Sequence, residues 1–218
     1  MKLLEINQLD VYLKTDEQRI QAVRNVAFSI EKGQTLAIVG ESGSGKSVTA
    51  MSIMQLLPAN IVEYGKNASI MFEQQDILKF TEEQRRSIRG DRIGMIFQEP
   101  MTSLNPFMTI GEQVIEAVMT HNRHINRLDA EKLTLSTLKK VKIPNAEKKL
   151  SCYPHEFSGG QLQRIMIAMA IINKPDLLIA DEPTTALDVT TQAEILDLIH
   201  NLQNEMGMAI ILISTIYD

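Results

Sequence analysis

"TLAIVGESGSGKSVTA", Thr35 to Ala50, joins a strand, a glycine loop and a helix in one short stretch. Thr35–Gly40 is an apolar run closed by glycine, the pattern of a buried parallel strand. Gly40–Ser47 then fits G-x-x-x-x-G-K-S, in which glycines let the backbone wrap a phosphate and turn its N–H groups inward. Beyond it, "KSVTAMSIMQLL" sets Val48, Met51, Met54 and Leu57 on one helical face that Pro58 ends. A Gly/Ser-rich turn would account for the composition but not for its place between a buried strand and a helix. The stretch therefore reads as a phosphate cradle formed by Gly40, Glu41, Ser42, Gly43, Ser44, Gly45, Lys46, Ser47 and Val48. Lys46 supplies a point charge to the β- and γ-phosphates, Ser47 a hydroxyl to Mg²⁺, and the helix N-terminus favours the anion.

Outward from this unit, "DLLIAD" (Asp176–Asp181) and "MAIILI" (Met208–Ile213) read as two more buried strands. A helix from about Thr191 to Met206 lies between them, with Thr191 and Glu194 spaced as a capping box and Gly207 at the C-cap. Strands alternating with helices imply a parallel α/β sheet. The first 35 or so residues alternate instead (Leu9, Val11, Leu13; Val26, Phe28, Ile30), as antiparallel strands do. From Thr81 to Phe157 the pattern is helical and polar, broken at "EPMTSLNP" and Pro144, with a capping box at Thr109 and Glu112. The expected layout is a nucleotide-binding core with a β subdomain over residues 1–80 and 158–218, and an inserted helical subdomain over 81–157.

Composition narrows the function. Of 218 residues, 44% are hydrophobic and 22% charged, which suits a folded globular domain rather than a disordered chain. The net charge of -5 argues against a nucleic-acid partner, which usually meets a basic face. Cys152 is the single cysteine, so an internal disulfide and a cysteine-rich metal site are excluded. The N-terminal stretch meets charge too soon for a signal peptide. Runs such as "IMIAMAII" fall short of the ~18 residues of a spanning helix, so membrane contact is expected through a partner.

Two further motifs carry chemistry. "LLIADEP" (Leu177–Pro183) ends a buried strand in adjacent carboxylates, which strand alternation would turn to different sides. Asp181 would then reach Mg²⁺ while Glu182 faces the attacking water as general base. "FSGGQLQRIMIAMAII" (Phe157–Ile172) opens a long apolar helix on Ser158, Gly159 and Gly160, either a plain serine cap or a second N-terminus that receives an anion.

In this order the motifs resemble those of the ATP-binding cassette (ABC) ATPases: the phosphate loop, Gln98 in "MIFQEP", "SGGQ" at Ser158–Gln161, "DEP" at Asp181–Pro183, and "ALD" at Ala186–Asp188. The resemblance implies a P-loop NTPase fold: a RecA-like parallel-sheet core with an N-terminal antiparallel β subdomain and an inserted helical subdomain. It also implies a dimer, with a like or an unlike second ABC domain, that sandwiches ATP between one phosphate loop and the partner's Ser158, Gly159, Gly160 and Gln161. Gln98 joins Ser47 and Asp181 at Mg²⁺ and Lys46 and Glu182 in catalysis on the same footing. "GESGSGKSVTA", "IRGDRIGMIFQEPMTSLNP", "YPHEFSGG" and "IADEPTTALDVTTQ" are similar to the peptide/nickel uptake branch, including the first half of tandem peptide-type ATPases. Members of that branch sit on the cytoplasmic face of the membrane, docked on a permease that takes solute from a binding protein. The alternatives are a soluble ABC ATPase without a permease, and a nucleotide-binding module with little turnover.

Several residues are less constrained. The family stacks adenine on an aromatic near the N-terminal strands, where this chain has Leu13 with Tyr12 beside it. "EEQRRSIRGDR" reads as a solvated helix face or as part of the permease contact. His121, His124 and His200 read as surface residues, and the 12 methionines as adaptable core filler. In "ILISTIYD" the family's histidine position falls on Thr215. The resemblance implies a domain cut short near that position, with impaired turnover.

Overall fold

A computed structural model describes every residue except Met1, Asp16, Glu17, Arg123, Ala186, Tyr217 and Asp218. Three of these touch the sequence reading. Ala186 of "ALD" and the last two residues of "ILISTIYD" lie outside the described residues.

The alternating N-terminal segment forms β1 (Lys2–Lys14) and β2 (Arg19–Glu31), paired antiparallel with Leu13 opposite Ile20 and Leu9 opposite Val26. The phosphate-loop strand is β3 (Thr35–Gly40), followed by α1 (Lys46–Ile53). Helix α1 stops short of Pro58, because Gln55 adopts a left-handed φ of 53°. Its buried side is Lys46, Thr49, Ala50, Ser52 and Ile53; of the expected face Val48, Met51, Met54 and Leu57, Met54 is buried just past the helix end, and Val48 and Leu57 pack half-buried against the core. Three short strands then extend the antiparallel sheet: β4 (Val62–Tyr64), β5 (Ser69–Phe72) and β6 (Gln75–Asp76). At two to four residues each, they are too brief to show a period in the sequence.

The polar helix α2 (Glu82–Ile88) has no buried residue, and a capping box of Thr81 and Gln84 starts it. The stretch expected to be helical from 81 to 157 is then interrupted by β7 (Ile93–Ile96), buried at all four positions and paired with the parallel sheet. Four apolar residues do not distinguish strand from helix by periodicity, so only pairing decides. Helices α3 (Pro100–Ser103), α4 (Ile110–His121), α5 (Arg127–Lys140) and α6 (Ala146–Lys149) follow. The Thr109–Glu112 capping box is present, with Thr109 N–H donating to Glu112 Oε2 at 2.9 Å.

The remainder is α7 (Gly159–Ile171), β8 (Leu177–Asp181), α8 (Val189–Met206) and β9 (Ala209–Thr215). Helix α8 begins earlier than its spacing suggested. Asp188, not Thr191, is the N-cap, and its Oδ1 accepts from Thr191 N–H at 3.0 Å. A carboxylate suits the positive end of the helix better than a hydroxyl, which leaves Glu194 free to pair with Arg164 at 2.7 Å. Gly207 takes the left-handed C-cap, φ 68°, as expected.

The parallel sheet runs β3-β9-β8-β7, and the antiparallel sheet β2-β1-β5-β6 with β4 beside β1. Alternation along β8 divides the core. Leu178 and Ala180 face a cluster built with α4, α5, α7 and α8, while Leu177 and Ile179 face Leu4, Ile6, Val11 and Ile53. The central strand is thus covered on both faces, which is why it reads as an unbroken apolar run. Gly94 in β7 permits the helical side to close in: a Cβ there would stand 2.3 Å from the Ala170 carbonyl oxygen in α7. Among the described residues, no helix is long and apolar enough to cross a membrane.

Candidate functional site

The loop from Gly40 to Ser47 closes around its own lysine. Lys46 Nζ donates to the carbonyl oxygens of Gly40 at 2.8 Å and Glu41 at 2.7 Å, and reaches Ser44 Oγ at 3.4 Å. Gly45 caps α1 with φ 90°, and a Cβ there would stand 2.3 Å from the Ala22 carbonyl oxygen in β2. Only glycine meets both demands, so this position ties the loop to the antiparallel sheet.

Around that loop the strand ends bring the other groups together. A cavity of about 370 Å³ is lined by Ser42, Gly43, Gly45, Lys46, Ser47 and Val48. Its other walls are Gln98 beyond β7, Glu182 beyond β8, Thr215 at the end of β9, and Ile20, Gln21 and Ala22 of β2. Three of the four parallel strands, β7, β8 and β9, thus deliver a polar side chain at or just past their C-terminal ends, where open α/β sheets hold ligands. Gly40, Glu41 and Ser44 serve the loop's own framework here.

The adjacent carboxylates occupy different environments. Asp181 is 4% exposed, and its Oδ1 has no hydrogen-bond partner. Burial pushes its carboxyl above the usual carboxylate range; the Ser47 hydroxyl pulls it back, Glu182 adds to the rise and Lys46 opposes it. A buried carboxylate oxygen without a donor, beside a serine hydroxyl, fits a divalent cation that takes its remaining ligands from phosphate and water. Among the described residues no group of three His, Cys, Asp or Glu could hold a metal, so a cation here needs such outside oxygens.

Glu182 departs from the alternation expected of it. It lies past the end of β8 with φ 48°, its N–H donating to the Ile213 carbonyl at 3.1 Å, so a turn rather than the strand aims its side chain. Gln98 Nε2 donates to Glu182 Oε2 at 2.9 Å, Thr185 Oγ1 donates to the same oxygen at 3.0 Å, and Thr215 Oγ1 donates to Oε1. Gln98 therefore meets the expected base rather than Asp181.

Ser158, Gly159, Gly160 and Gln161 are not among the residues that line this cavity. Ser158 caps α7 in a full capping box with Gln161, and a Cβ on Gly160 would stand 2.8 Å from Thr191 Cγ2, so the end of α7 packs closely on α8. Nor does Tyr12 line the cavity. The Arg19 guanidinium lies 3.6 Å over its ring, and the β2 residues Ile20, Gln21 and Ala22 form the wall instead. Those three, and Thr185, are residues sequence reasoning missed. The cross-strand pairing of Leu13 with Ile20 is the signal that leads to Ile20.

Residues 23–185 match the ABC transporter family. The chain is 50% identical over 213 residues to the oligopeptide transport ATP-binding protein OppD of Bacillus subtilis, covering 98% of this chain and 59% of that protein. It is 49% identical over 220 residues to the glutathione import ATP-binding protein GsiA of Pectobacterium atrosepticum, covering 98% of this chain and 35% of that protein. Among solved structures, a dimeric ATP-binding cassette in a post-hydrolysis state, bound to ADP and Pi, superposes with a TM-score of 0.84 at 28% identity. That match covers 97% of this chain and 87% of the other. The chain thus spans 59% and 35% of the lengths of these two curated relatives.

Proposed function

Because the chain belongs to the ABC transporter family, we propose that it binds and hydrolyses Mg·ATP to power an importer of peptides or related small solutes. The observation that carries this reading is the convergence of Lys46, Ser47, Gln98 and Glu182 on one cavity at the C-terminal edge of the parallel sheet. Lys46 and the N–H groups of the loop bind the β- and γ-phosphates. Ser47 and Asp181 would hold Mg²⁺, which would supply positive charge to the phosphate oxygens when bound. Glu182 accepts a proton from water as the water oxygen attacks the γ-phosphorus; the bridging P–O bond breaks and its electron pair leaves with ADP. Gln98 holds the base from the β7 side.

The placement of Ser158–Gln161 away from that cavity supports a role for them across a dimer, on nucleotide held by a second ABC domain of the same or another kind. A permease partner, fed by a solute-binding protein, is supported by the surface of α3 to α5. Phe107 is 89% exposed and Met101 and Leu128 are each 61% exposed, a large apolar presentation for a helical unit in water. Docking there would place the chain on the cytoplasmic face of the membrane.

The test is binding and turnover. The purified chain is expected to bind an ATP analogue in calorimetry and to release phosphate from Mg·ATP, and Lys46→Ala is expected to abolish detectable binding while the fold persists. Unchanged affinity in Lys46→Ala would remove the phosphate-loop assignment. Failure of the chain to associate with a peptide-importer permease in detergent or nanodiscs would remove the transport role.

A further inference from the structure

Beside the phosphate loop, the cavity is walled by the outer part of β2. Ala22 sits against the loop, since its carbonyl oxygen is what a Cβ on Gly45 would meet at 2.3 Å. Gln21 and Ile20 continue outward at about 3.3 Å per residue, so Ile20 stands roughly 7 Å further along the strand than Ala22. A nucleoside triphosphate whose phosphates meet Lys46 and Ser47 would set its base against that outer end.

A bulge aims this wall. Val11 pairs with Val23 and Tyr12 with Gln21, which leaves Ala22 as an extra residue on β2. Such a bulge breaks the alternation of a strand and re-aims the side chains beside it. Ile20, Gln21 and Ala22 accordingly all border the cavity, while Val23 stays in the core. Ile20 is 44% exposed.

The polar groups of the wall are already engaged. Gln21 Nε2 donates to Asp10 Oδ1 at 2.9 Å, and its Oε1 accepts from Arg24 Nε at 3.3 Å. Tyr12 lies under Arg19, whose guanidinium also donates to Glu63 Oε1 at 2.9 Å. Among the described residues that line the cavity none is aromatic, and Ile20, Ala22 and Val48 are apolar. We propose that Ile20 holds the base by apolar contact and that the hydrogen-bonding edge of the base is not read. The substrate class is then purine nucleoside triphosphates, ATP and GTP alike, with pyrimidine ones held more weakly. This rests on the reading of the cavity as a nucleoside triphosphate site.

Adenine and guanine share one ring system and differ in the donors and acceptors on its edge. A site that hydrogen-bonds such an edge rejects the wrong partner by orders of magnitude, because its own buried groups are left unpaired. An apolar ledge leaves nothing unpaired, and its hold scales with the area covered. Uracil and cytosine, each a single ring, cover less of Ile20 than either purine and differ from one another only at the edge.

Calorimetry on the chain, with the Mg²⁺ complexes of the β,γ-imido analogues of ATP, GTP, UTP and CTP and with inorganic triphosphate, reads this directly. The two purine analogues are expected to bind within about threefold of each other, as are the two pyrimidine analogues. The pyrimidine pair should be roughly fivefold weaker than the purine pair. Ile20→Ala should weaken both purine analogues by a common factor of roughly five and leave inorganic triphosphate within about twofold. Ile20→Leu, which keeps the apolar area, should stay near the parent. An ATP analogue bound more than about tenfold tighter than the GTP analogue overturns the proposal, because the edge would then be read. So does an Ile20→Ala chain with parent affinity for both purines, or one that loses inorganic triphosphate to the same degree, which would assign the effect to the phosphate loop. If the ATP analogue alone binds, the base-neutral site is lost and the nucleotide-binding reading stands. If no analogue and no triphosphate binds, both are lost.

Discussion

Glu182 carries a φ of 48° at a position with a Cβ, a conformation that costs about 1 kcal/mol or more and persists only where surrounding bonds over-determine it. Four do so here: its own N–H to Ile213 and the three donors on its carboxylate. Glu182→Gln tests the role of the negative charge. An amide cannot take a proton from water, and its NH₂ end cannot accept from Gln98 and Thr185. Turnover is expected to fall by about 10²–10⁴ with nucleotide affinity retained, measured by phosphate release and calorimetry on the same preparation. Normal hydrolysis in this variant would show that another group is the base. Asp181, one residue earlier, differs in every respect that matters to chemistry. It is inside the strand, buried, and lacks a donor on Oδ1, so it suits a cation where its neighbour suits a proton.

Between elements, a close constraint falls at Gly94, as tight as the one at Gly45. The β7 backbone and the α7 carbonyl of Ala170 would leave only 2.3 Å for a Cβ, and both belong to regular structure that cannot shift alone. Gly94→Ala is expected to destabilise the chain by on the order of 3 kcal/mol, seen as a lower denaturant midpoint. An unchanged midpoint would mean that α7 slides freely on the sheet. Since β7 leads directly to Gln98, the same substitution should also loosen the donor on Glu182 Oε2.

At the scale of the whole molecule, an ion-pair network joins the two sheets at the edge opposite the cavity. Arg92 bonds Asp176 at 2.5 Å and Glu73 at 2.8 Å, and Lys32 reaches both carboxylates at 3.2 Å. Burial pulls the Asp176 carboxyl upward, but Arg92 and Lys32 outweigh it and hold it below its ordinary value. A depressed carboxylate stabilises the fold above its unfolded pKa, about 4, and the contribution is lost as pH falls through the lower folded value. Asp176→Asn is expected to cost about 1 kcal/mol at pH 7, the size of a partly exposed pair rather than a buried one. Thermal melts should show the gap between parent and variant narrowing below about pH 4. A gap independent of pH would assign the loss to packing.

The strand–loop–helix unit, the apolar run of β8, the capping box at Thr109 and the glycine that ends α8 were all legible in the sequence. Each depends on neighbours within a turn of helix or a few strand residues, so the pattern and its cause occupy the same stretch. The motifs for Lys46, Ser47 and the two carboxylates were legible for the same reason. What tertiary structure decided is where distant segments meet. Ile93–Ile96 became a strand only because β8 offered a pairing edge, and Glu182 left the strand alternation because a turn and Ile213 captured it. Gln98 and Glu182 are 84 residues apart, and Thr215 and Glu182 are 33 apart. Such distances are closed by the registers of β7, β8 and β9, which no local pattern of polarity encodes. The sequence by itself determined which residues could bind phosphate and take a proton; the order of the strands decided which of them share an oxygen.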